Sequence, residues 1–250
     1  MIEIDHLTKR HGAVVAIDDV ALAIGRGVTA VIGPNGAGKS TLLAAVGRLI
    51  GVDAGTARVA GLDVITAKSR ALARRLAILR QDNHLAVRLS VEDLVAYGRF
   101  PHGGSGRTPV DREHVDGAIR RLDLESVRTR FLDELSGGQR QRAFVAMAIA
   151  QDADHLLLDE PLNNLDPRHS VSLMKLVRRL AAEREMTIVV VLHDINVAAQ
   201  FADDIVAMRD GRVVHHGPVD EVVTAQNLAA LYDTPAHVTE VAGRRVVLWE

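Results

Sequence analysis

The sequence predicts an α/β fold in which a buried parallel sheet carries chemistry at its carboxyl edge. Three runs, residues 28–32, 156–158 and 187–192, are apolar throughout, as strands buried on both faces must be. Polar or glycine-rich residues follow each run at once. Ligands of open α/β sheets bind outside the carboxyl ends of the strands, so we expect the three strand ends to converge on one site.

The first strand end is a complete phosphate loop of the pattern G-x-x-x-x-G-K-S. A strand that turns through glycines into a helix leaves the first N–H groups of that helix unpaired, where a polyphosphate can bind. Lys39 is expected to reach the β- and γ-phosphates, and the Ser40 hydroxyl to hold Mg²⁺. The loop expected to bind a nucleoside triphosphate is Gly33-Pro34-Asn35-Gly36-Ala37-Gly38-Lys39-Ser40-Thr41.

Composition argues against several function classes. The 250 residues have a formal net charge of −2 and are 3% aromatic, so the chain lacks the basic field and stacking platforms typical of nucleic-acid binding. It has no cysteine, which excludes disulfides, zinc–thiolate sites and iron–sulfur clusters. No apolar stretch approaches the roughly 18 residues of a membrane span, and the N-terminus has no signal-peptide character. We expect a soluble protein without a nucleic-acid partner, whose role at a membrane is indirect.

The chain before the phosphate loop alternates in short half-buried runs. This pattern predicts antiparallel strands that form an N-terminal β subdomain. Residues 51–64, punctuated by Gly55 and Gly61, are expected to return to the same small sheet. The alternating runs are residues 2–4, 14–17 and 20–24.

Between about residues 83 and 142 the pattern becomes helical, which predicts an all-helical insertion into the α/β core. Ser90 begins one helix with capping-box spacing, and residues 100–106 break it as a flexible surface loop. Residues 111–122 are expected to form a second helix. Further on, residues 234–250 carry two apolar runs around a glycine and are interpreted as a C-terminal tail with a β-hairpin.

Two carboxylates follow the second buried run. Asp159 would end a strand beside the phosphate loop, where it is well placed to hold Mg²⁺ directly or through water. Glu160 is expected to orient or deprotonate the attacking water. An ordinary strand-to-turn boundary, closed by Pro161, is the alternative for this pair taken alone. A phosphate loop in the same chain favours the catalytic interpretation.

The pentapeptide Leu135-Ser136-Gly137-Gly138-Gln139 is the second distinctive motif. Its glycines let a backbone approach phosphate oxygens closely, and Ser136 can cap the apolar, buried helix expected over residues 139–150. That helix would supply a second anion-binding end in a chain that already has one. The economical explanation is that two copies meet head to tail, each closing over the other's nucleotide. A simple capped helix start is the alternative.

The motifs of this chain, in the order in which they occur, resemble those of the nucleotide-binding subunits of ATP-binding-cassette (ABC) transporters. The resemblance covers roughly residues 2–232. The resemblance implies a P-loop NTPase (RecA-like) core, an ABC ATPase domain over residues 1–233, ATP hydrolysis, and ATP with Mg²⁺ as cofactors. Besides the phosphate loop, the pentapeptide and residues 156–160, the matching residues are Gln81, Asn163-Asn164-Leu165-Asp166 and His193.

The resemblance also implies a role for individual residues. Gln81 would help to coordinate Mg²⁺ and the attacking water and would sense the membrane partner. Glu160 would be the general base, His193 would contact the γ-phosphate, and Asp166 would signal across a dimer. Gln81 and His193, taken alone, are single polar residues at strand ends. The residues implied to contact the γ-phosphate on the other subunit are Ser136, Gly137, Gly138 and Gln139.

Two positions depart from the family pattern. His11 stands where the family usually has an aromatic residue, most often Tyr, that stacks on adenine. An imidazole covers less of the base, so we expect modest base affinity. Residues 162–164 read Leu-Asn-Asn where the family more often has Thr-Ser and a small residue. Asp166 is retained, so its implied role stands.

A finer resemblance is to importers of iron chelates, a group that carries ferric siderophores, haem and cobalamin. Residues 98–101, 150–152 and 192–196 carry it, and residues 159–166 with 169–171 most resemble the ferric-siderophore branch. The implied assembly has a second copy of the chain, two transmembrane permease subunits and, indirectly, a substrate-binding protein. The subunit would be peripheral, on the cytoplasmic face of the cell membrane.

Other functions stay open at this point. The chain could serve haem or cobalamin import, or be a soluble ABC ATPase without a transport role, although such proteins usually have two cassettes or a long coiled coil. A phosphotransferase would share the phosphate loop but has no use for the pentapeptide. Tyr97, Phe100 and Pro101 either pack in the insertion's own core or line a groove for a short helix of the membrane subunit.

Overall fold

The structure is a computed structural model that describes residues 1–81, 87–103 and 108–250. The predicted start of the insertion near residue 83 and residues 104–106 of the predicted loop lie outside these ranges. Within them, the strands are β1 (Ile2–His11), β2 (Val14–Ile24), β3 (Gly27–Ile32), β4 (Ala54–Val59), β5 (Leu62–Asp63), β6 (Leu76–Leu79), β7 (His155–Asp159), β8 (Thr187–Val191), β9 (Asp204–Arg209), β10 (Arg212–Pro218), β11 (Ala236–Val241) and β12 (Arg244–Trp249). The α-helices are α1 (Lys39–Val46), α2 (Ser69–Ala73), α3 (Val91–Tyr97), α4 (Pro109–Arg121), α5 (Gly137–Ala150), α6 (Pro167–Glu183), α7 (Ile195–Phe201), α8 (Val219–Val222) and α9 (Ala225–Tyr232).

A six-stranded sheet forms the centre of the molecule, in the order β10-β9-β3-β8-β7-β6. Its pairs are parallel except for β9 with β10 at one edge. The three predicted buried strands are β3, β7 and β8, which are neighbours, so the predicted parallel sheet is confirmed. Asp159 pairs with Val191, and Val31 pairs with Val191 from the other side. The residues that follow these strands therefore lie along one edge.

Alternate residues of the central strands face two separate apolar cores. Ala30 and Ile32 of β3 belong to one core, whereas Val31 belongs to the other. Successive side chains of a strand point to opposite faces, so a strand buried on both sides must be apolar throughout. The first core lies against the helical segment with α5, α6 and α7, and the second lies against α1 and the N-terminal sheet.

The predicted N-terminal antiparallel sheet has the strand order β2-β1-β4-β5. It contains all the alternating runs and the returning segment, as expected. His11 is the last residue of β1, opposite Val14 of β2, so the turn between the two strands presents His11 at the rim of this sheet.

The helices of the insertion begin at side-chain caps. Ser90 forms a capping box with Asp93 at the start of α3, as predicted. Helix α4 begins at Pro109, two residues before the predicted start, because the Thr108 hydroxyl accepts from Asp111 N. Helix α5 likewise begins at Gly137 rather than at residue 139, and it runs through residue 142, the expected end of the insertion. One continuous helix thus packs against α3 and α4 and also against β6.

A buried ion pair holds the insertion together. Nε of Arg99 donates to Oδ1 of Asp111 over 2.9 Å, and the two side chains are 4% and 5% exposed. Arg99 also donates to the carbonyl of Ala150 over 2.8 Å, and the Thr108 hydroxyl donates to the other Asp111 oxygen over 2.6 Å. Both charges are therefore hydrogen-bonded as well as paired, which a buried pair requires.

The C-terminal tail contains an antiparallel pair, β11 with β12. Val241 pairs with Arg244, and the two residues between them, Ala242 and Gly243, have φ values of 51° and 72°. Positive φ at both positions is typical of a type I′ hairpin turn. The hairpin packs on α7 through β12.

Candidate active site

The phosphate loop joins β3 to α1 through backbone conformations that require glycine. Gly38, the residue before α1, has a φ of 96°, and a Cβ there would lie 2.2 Å from the carbonyl oxygen of Ala16. At Gly33 a Cβ would lie 2.0 Å from the carbonyl oxygen of Met208. In the described structure no side chain caps α1, so its first N–H groups face the loop and remain available to an anion.

The Lys39 side chain folds into the loop. Its Nζ donates to the carbonyl oxygens of Gly33 over 2.7 Å and Pro34 over 2.8 Å. Burial lowers the pKa of Lys39, and the negative charges of Glu160 and Asp159 oppose that shift. An ammonium group has three donors, so one proton remains for a phosphate oxygen. The residue thus stands as predicted inside the phosphate-binding loop.

Ser40 and Asp159 form a pair of hard oxygen donors. The Ser40 hydroxyl donates to Oδ1 of Asp159 over 2.9 Å, across the gap between α1 and the end of β7. Asp159 is 7% exposed, and burial raises its pKa, which the Ser40 hydrogen bond opposes. A hydroxyl and one carboxylate, completed by phosphate oxygens, are the ligands that Mg²⁺ prefers beside a nucleotide. The donor set therefore fits Mg²⁺.

Glu160 is held by side chains from three segments of the chain. Nε2 of Gln81 donates to its Oε2 over 2.8 Å, and Nδ2 of Asn163 donates to the same oxygen over 2.7 Å. Nε2 of His193 lies 2.6 Å from the other oxygen, Oε1. Glu160 also has a φ of 50°, which is uncommon for a residue with a side chain and occurs preferentially at functional sites. The structure thus brings the three predicted catalytic residues together.

A cavity of about 270 Å³ adjoins this cluster. It is lined by Ser40, Thr41, Gln81 and Asp159, and His11 stands on its rim. The imidazole at the end of β1 therefore shares a cavity with the residues expected to hold the phosphates and Mg²⁺. This is where the sequence predicts that a base-stacking residue lies.

The pentapeptide begins α5 and faces a different part of the chain. The Ser136 hydroxyl accepts from Gln139 N, and the Gln139 side chain accepts from Ser136 N, which completes a capping box. A Cβ on Gly137 would lie 3.3 Å from Cβ of Asn164, and a Cβ on Gly138 would lie 3.3 Å from the Asn164 carbonyl. Across residues 1–81, 87–103 and 108–250, no hydrogen bond or ion pair joins the pentapeptide to the phosphate loop. One chain does not bring the two predicted anion-binding ends together.

Asp166 caps helix α6, next to the segment that the pentapeptide contacts. Its Oδ1 accepts from the backbone N–H of His169 over 2.8 Å, and that bond lowers the pKa of Asp166. The Asp166 carboxylate is exposed, so it is accessible to a partner.

Sequence reasoning gave Asn163 no role, although it noted that this position departs from the family pattern. The structure shows its amide bonded to Glu160. The available signal was the spacing, because a polar side chain three residues after a carboxylate can fold back onto it in a turn.

A protein-family model described as ABC transporter matches residues 17–163, more than half of the chain. The chain belongs to the ABC transporter family. The match begins within β2 of the antiparallel sheet and ends at Asn163, so it includes the phosphate loop, the pentapeptide and both carboxylates. This confirms the predicted family.

The relatives agree with the family match. The petrobactin import ATP-binding protein YclP of Bacillus subtilis (strain 168) is 43% identical over 247 residues, which cover 98% of each chain. The ferric enterobactin transport ATP-binding protein FepC of Escherichia coli (strain K12) is 35% identical over 98% of this chain and 92% of its own. The dimeric post-hydrolysis structure of the ATP-binding cassette MJ0796, bound to ADP and Pi, is 28% identical and has a TM-score of 0.78 over 88% of this chain and 99% of that chain. The predicted P-loop NTPase fold and the predicted ATP hydrolysis are confirmed, and this ABC ATPase uses ATP.

Proposed function

We propose that this ABC ATPase drives the import of an iron chelate of the ferric-siderophore class. The observation that carries the proposal is that YclP and FepC, two relatives named for the transport of siderophores, each match 98% of the chain. The two relatives are named for different siderophores, petrobactin and enterobactin, so the ATPase is not expected to determine which chelate is bound. Within the described ranges, no helix is long and apolar enough to cross a bilayer.

The phosphate loop is proposed to bind the triphosphate of ATP. The N–H groups at the start of α1 would contact the phosphate oxygens, and Lys39 would turn its remaining proton toward the β- and γ-phosphates. Ser40, Asp159 and Gln81 would hold Mg²⁺, which supplies positive charge for the phosphate oxygens. His11 would stack on the adenine from the rim of the same cavity.

Glu160 is proposed to be the general base. Both amide donors, from Gln81 and Asn163, sit on Oε2, so Oε1 is the oxygen that faces His193 and the nucleotide side of the cluster. Oε1 would take a proton from the attacking water while the bond between the β,γ-bridging oxygen and the γ-phosphorus breaks. His193 would hydrogen-bond the γ-phosphate and keep Oε1 aligned with it.

The active site is proposed to be completed by a second copy of the chain. Ser136, Gly137, Gly138 and Gln139 do not reach the phosphate loop of their own chain, yet their helix start is suited to a γ-phosphate. Two chains packed head to tail would place this end over the partner's nucleotide. Asn164 and Leu165 lie so close to the pentapeptide that a Cβ on Gly138 would be 3.3 Å and 3.4 Å from their atoms, so a displacement of the pentapeptide would also move Asp166 and Glu160.

The permease is proposed to dock in a groove between α2, β6 and the insertion. The groove has a volume of about 460 Å³ and includes Tyr97, Phe100 and Pro101. Tyr97 is 56% exposed and Phe100 is 75% exposed, so they do not pack in a core of the insertion. Arg70 and Arg74 both donate to the carbonyl of Pro101, which fixes one wall of the groove. One of the two permease subunits would place a short cytoplasmic helix in the groove of each ATPase copy, which would hold the ATPase at the cytoplasmic face of the membrane.

Reconstitution tests the proposal. The chain would be expressed with the permease and the substrate-binding protein of a ferric-siderophore importer, and the complex placed in liposomes with ATP inside. We expect uptake of radioactive iron as a ferric siderophore, lost with Glu160→Gln. Uptake of haem or cobalamin instead would assign the chain to another branch of the same group. Failure of the chain to bind any permease, together with co-purification of ribosomes or DNA, would contradict the transport function.

A further inference from the structure

The proposed function uses no residue of the C-terminal hairpin formed by β11 and β12, which we name the tail hairpin (Ala236–Val241 and Arg244–Trp249). Its contacts, however, lead to two loops of the active site. One contact is on α7, the helix that follows His193. The other is on Tyr232 at the end of α9.

The first contact is a two-point hydrogen bond between a side chain and a strand. Oδ1 of Asn196 accepts from the backbone N–H of Val247 over 2.7 Å, and its Nδ2 donates to the Val247 carbonyl over 3.2 Å. Val247 is 2% exposed, so these backbone groups depend on Asn196 for partners. The Asn196 amide thus takes the place of a neighbouring strand along β12.

Asn196 lies three residues after His193, and its backbone is bonded to the side chain of Asp194, the residue that follows His193. Oδ1 of Asp194 accepts from the backbone N–H of Asn196 over 2.8 Å and from that of Val197 over 3.2 Å, which caps α7. The start of α7 is therefore fixed on one side by Asp194 and on the other by the tail hairpin. The backbone of His193 leads directly into this fixed turn.

The second contact leads to the phosphate loop. Trp249 packs edge-on against Tyr232, with ring centroids 5.2 Å apart. Burial raises the pKa of the Tyr232 phenol, and the backbone of Gly33, which lies against the phenol, opposes that shift. Gly33 is the first residue of the phosphate loop. The tail hairpin is therefore linked to the phosphate loop through Tyr232 and to the turn after His193 through Asn196.

The tail hairpin is itself anchored to the body of the protein. Arg245 donates to Asp220 over 2.9 Å and to the carbonyl of Val223 over 2.8 Å. Just before the hairpin, Arg209 pairs with both carboxylate oxygens of Asp233. The tail hairpin can position another element only if it is itself held in place, and these hydrogen bonds and ion pairs hold it.

We propose that the tail hairpin positions His193, and that Asn196 is the positioning residue through which it acts. His193 is 46% exposed, and the described contact of its ring is with Glu160, so its own packing holds it loosely. Its placement then depends on the turn that carries it. Removal of the Asn196 amide frees the start of α7 from β12, and the imidazole loses its alignment with Oε1 of Glu160 and with the γ-phosphate. The inference rests on the role that the proposed function gives to His193.

The test is a double-mutant cycle on ATP hydrolysis by the full-length chain, which needs neither permease nor chelate. Asn196→Ala is expected to lower kcat about tenfold, with KM for ATP changed by less than about twofold, since misplacement of a catalytic group lowers kcat rather than binding. In the His193→Ala background, Asn196→Ala is expected to change kcat by less than about twofold, because the group that it positions is already absent. Asn196→Asp keeps the acceptor for the Val247 N–H and is expected to fall between Asn196→Ala and the native chain.

Asn227 provides a matched control, since its Nδ2 donates to the carbonyls of Glu221 and Val222 away from His193. Asn227→Ala is expected to lower Tm comparably and to leave kcat within about twofold. An equal loss of kcat from Asn196→Ala in both backgrounds would overturn the inference, because a purely structural effect is additive. If Asn196→Ala does not fold, native kcat in Asn196→Asp would overturn it. If His193→Ala alone retained native kcat, the proposed role of His193 would fail instead.

Discussion

At the scale of single residues, the surroundings of Glu160 distinguish this site. Both of its amide donors bind one oxygen, and one of them, Asn163, belongs to the same turn as Glu160. A carboxylate with Oε2 held from two sides has little freedom to rotate, so Oε1 keeps one orientation. Asn163 is therefore expected to affect turnover more than ATP binding.

Asn163→Ala is predicted to lower kcat for ATP hydrolysis about tenfold and to leave Kd for ATP within about twofold, because it removes one of the two amide hydrogen bonds to Oε2 of Glu160. Steady-state kinetics and equilibrium titration measure the two quantities. In the Glu160→Gln background the same substitution should have no further effect on the residual rate. A native kcat for Asn163→Ala would show that Gln81 and His193 suffice to orient the carboxylate.

The buried carboxylate of Asp159 is expected to lower the stability of the fold while it serves the proposed Mg²⁺ site. Burial raises its pKa, so the folded protein disfavours the charged form that would bind Mg²⁺. Because the folded pKa lies above the unfolded one, the penalty is present at neutral pH and is lost as the pH falls through the folded pKa.

Asp159→Asn is predicted to raise Tm at pH 7, by about 2–4 °C for each kcal/mol of relieved penalty, and to abolish Mg²⁺-dependent hydrolysis. Thermal unfolding monitored by circular dichroism should show the difference in Tm shrinking as the pH is lowered toward 4. The control is Asp123→Asn, since that side chain is exposed on the surface, where water solvates its charge. A lower Tm for Asp159→Asn at pH 7 would mean that the Asp159 charge stabilises the fold.

At the scale of elements, the sequence predicted best the strands that combine an apolar run with a chemical motif at the carboxyl end. β3, β7 and β8 are largely apolar, because burial on both faces disfavours polar side chains, and each leads into such a motif. β6 and β9 contain apolar runs of similar length, residues 76–79 and 205–208, but no phosphate loop or carboxylate pair follows them, so the pattern did not single them out. The order of strands within the sheet has no local signal, because it depends on which strands share both cores.

The site residues divide in the same way. Lys39, Ser40 and Asp159 could be placed from sequence because the loop and the strand end fix their position. The hydrogen bond from Asn163 to Glu160 depends on a turn in which Glu160 and Asn164 both have a positive φ. Asn adopts a positive φ readily, but Glu seldom does, so the propensity of Glu160 does not predict this turn.

Loss of the buried ion pair in the insertion is expected to destabilise the fold more than loss of an ion pair on the surface. Arg99→Met is predicted to lower the free energy of unfolding by about 3–5 kcal/mol, because it leaves the Asp111 carboxylate buried without its charged partner. The matched control is Arg26→Met, whose partner Glu185 lies 2.9 Å away with both side chains about two-thirds exposed. That change should cost no more than about 1 kcal/mol. Urea denaturation measures both, and equal effects would contradict the argument from burial.

At the scale of the whole molecule, the separation of the pentapeptide from the phosphate loop is the decisive feature. Among the described residues no bond connects them, and in the proposed head-to-tail dimer a γ-phosphate would gain its second helix end from the other copy of the chain. Assembly and catalysis should therefore be inseparable.

Glu160→Gln is predicted to bind ATP, lose most turnover and accumulate as a dimer of twice the 27.0 kDa chain mass. Light scattering after gel filtration with ATP and Mg²⁺ measures the mass. Addition of Lys39→Ala should abolish this dimer, because the triphosphate is no longer held. A Glu160→Gln chain that stays monomeric at saturating ATP would contradict the head-to-tail arrangement.

The alternation of β3, β7 and β8 between two cores has a further consequence. The central sheet separates the layer that contains α5, α6 and α7 from the layer that contains α1 and the N-terminal sheet with His11. The proposed permease groove draws on both layers, since Met147 packs on the first core and Leu72 and Leu76 belong to the second. A chimaera that exchanges the helical insertion alone would therefore carry only part of the docking surface, and α2 would have to be exchanged with it.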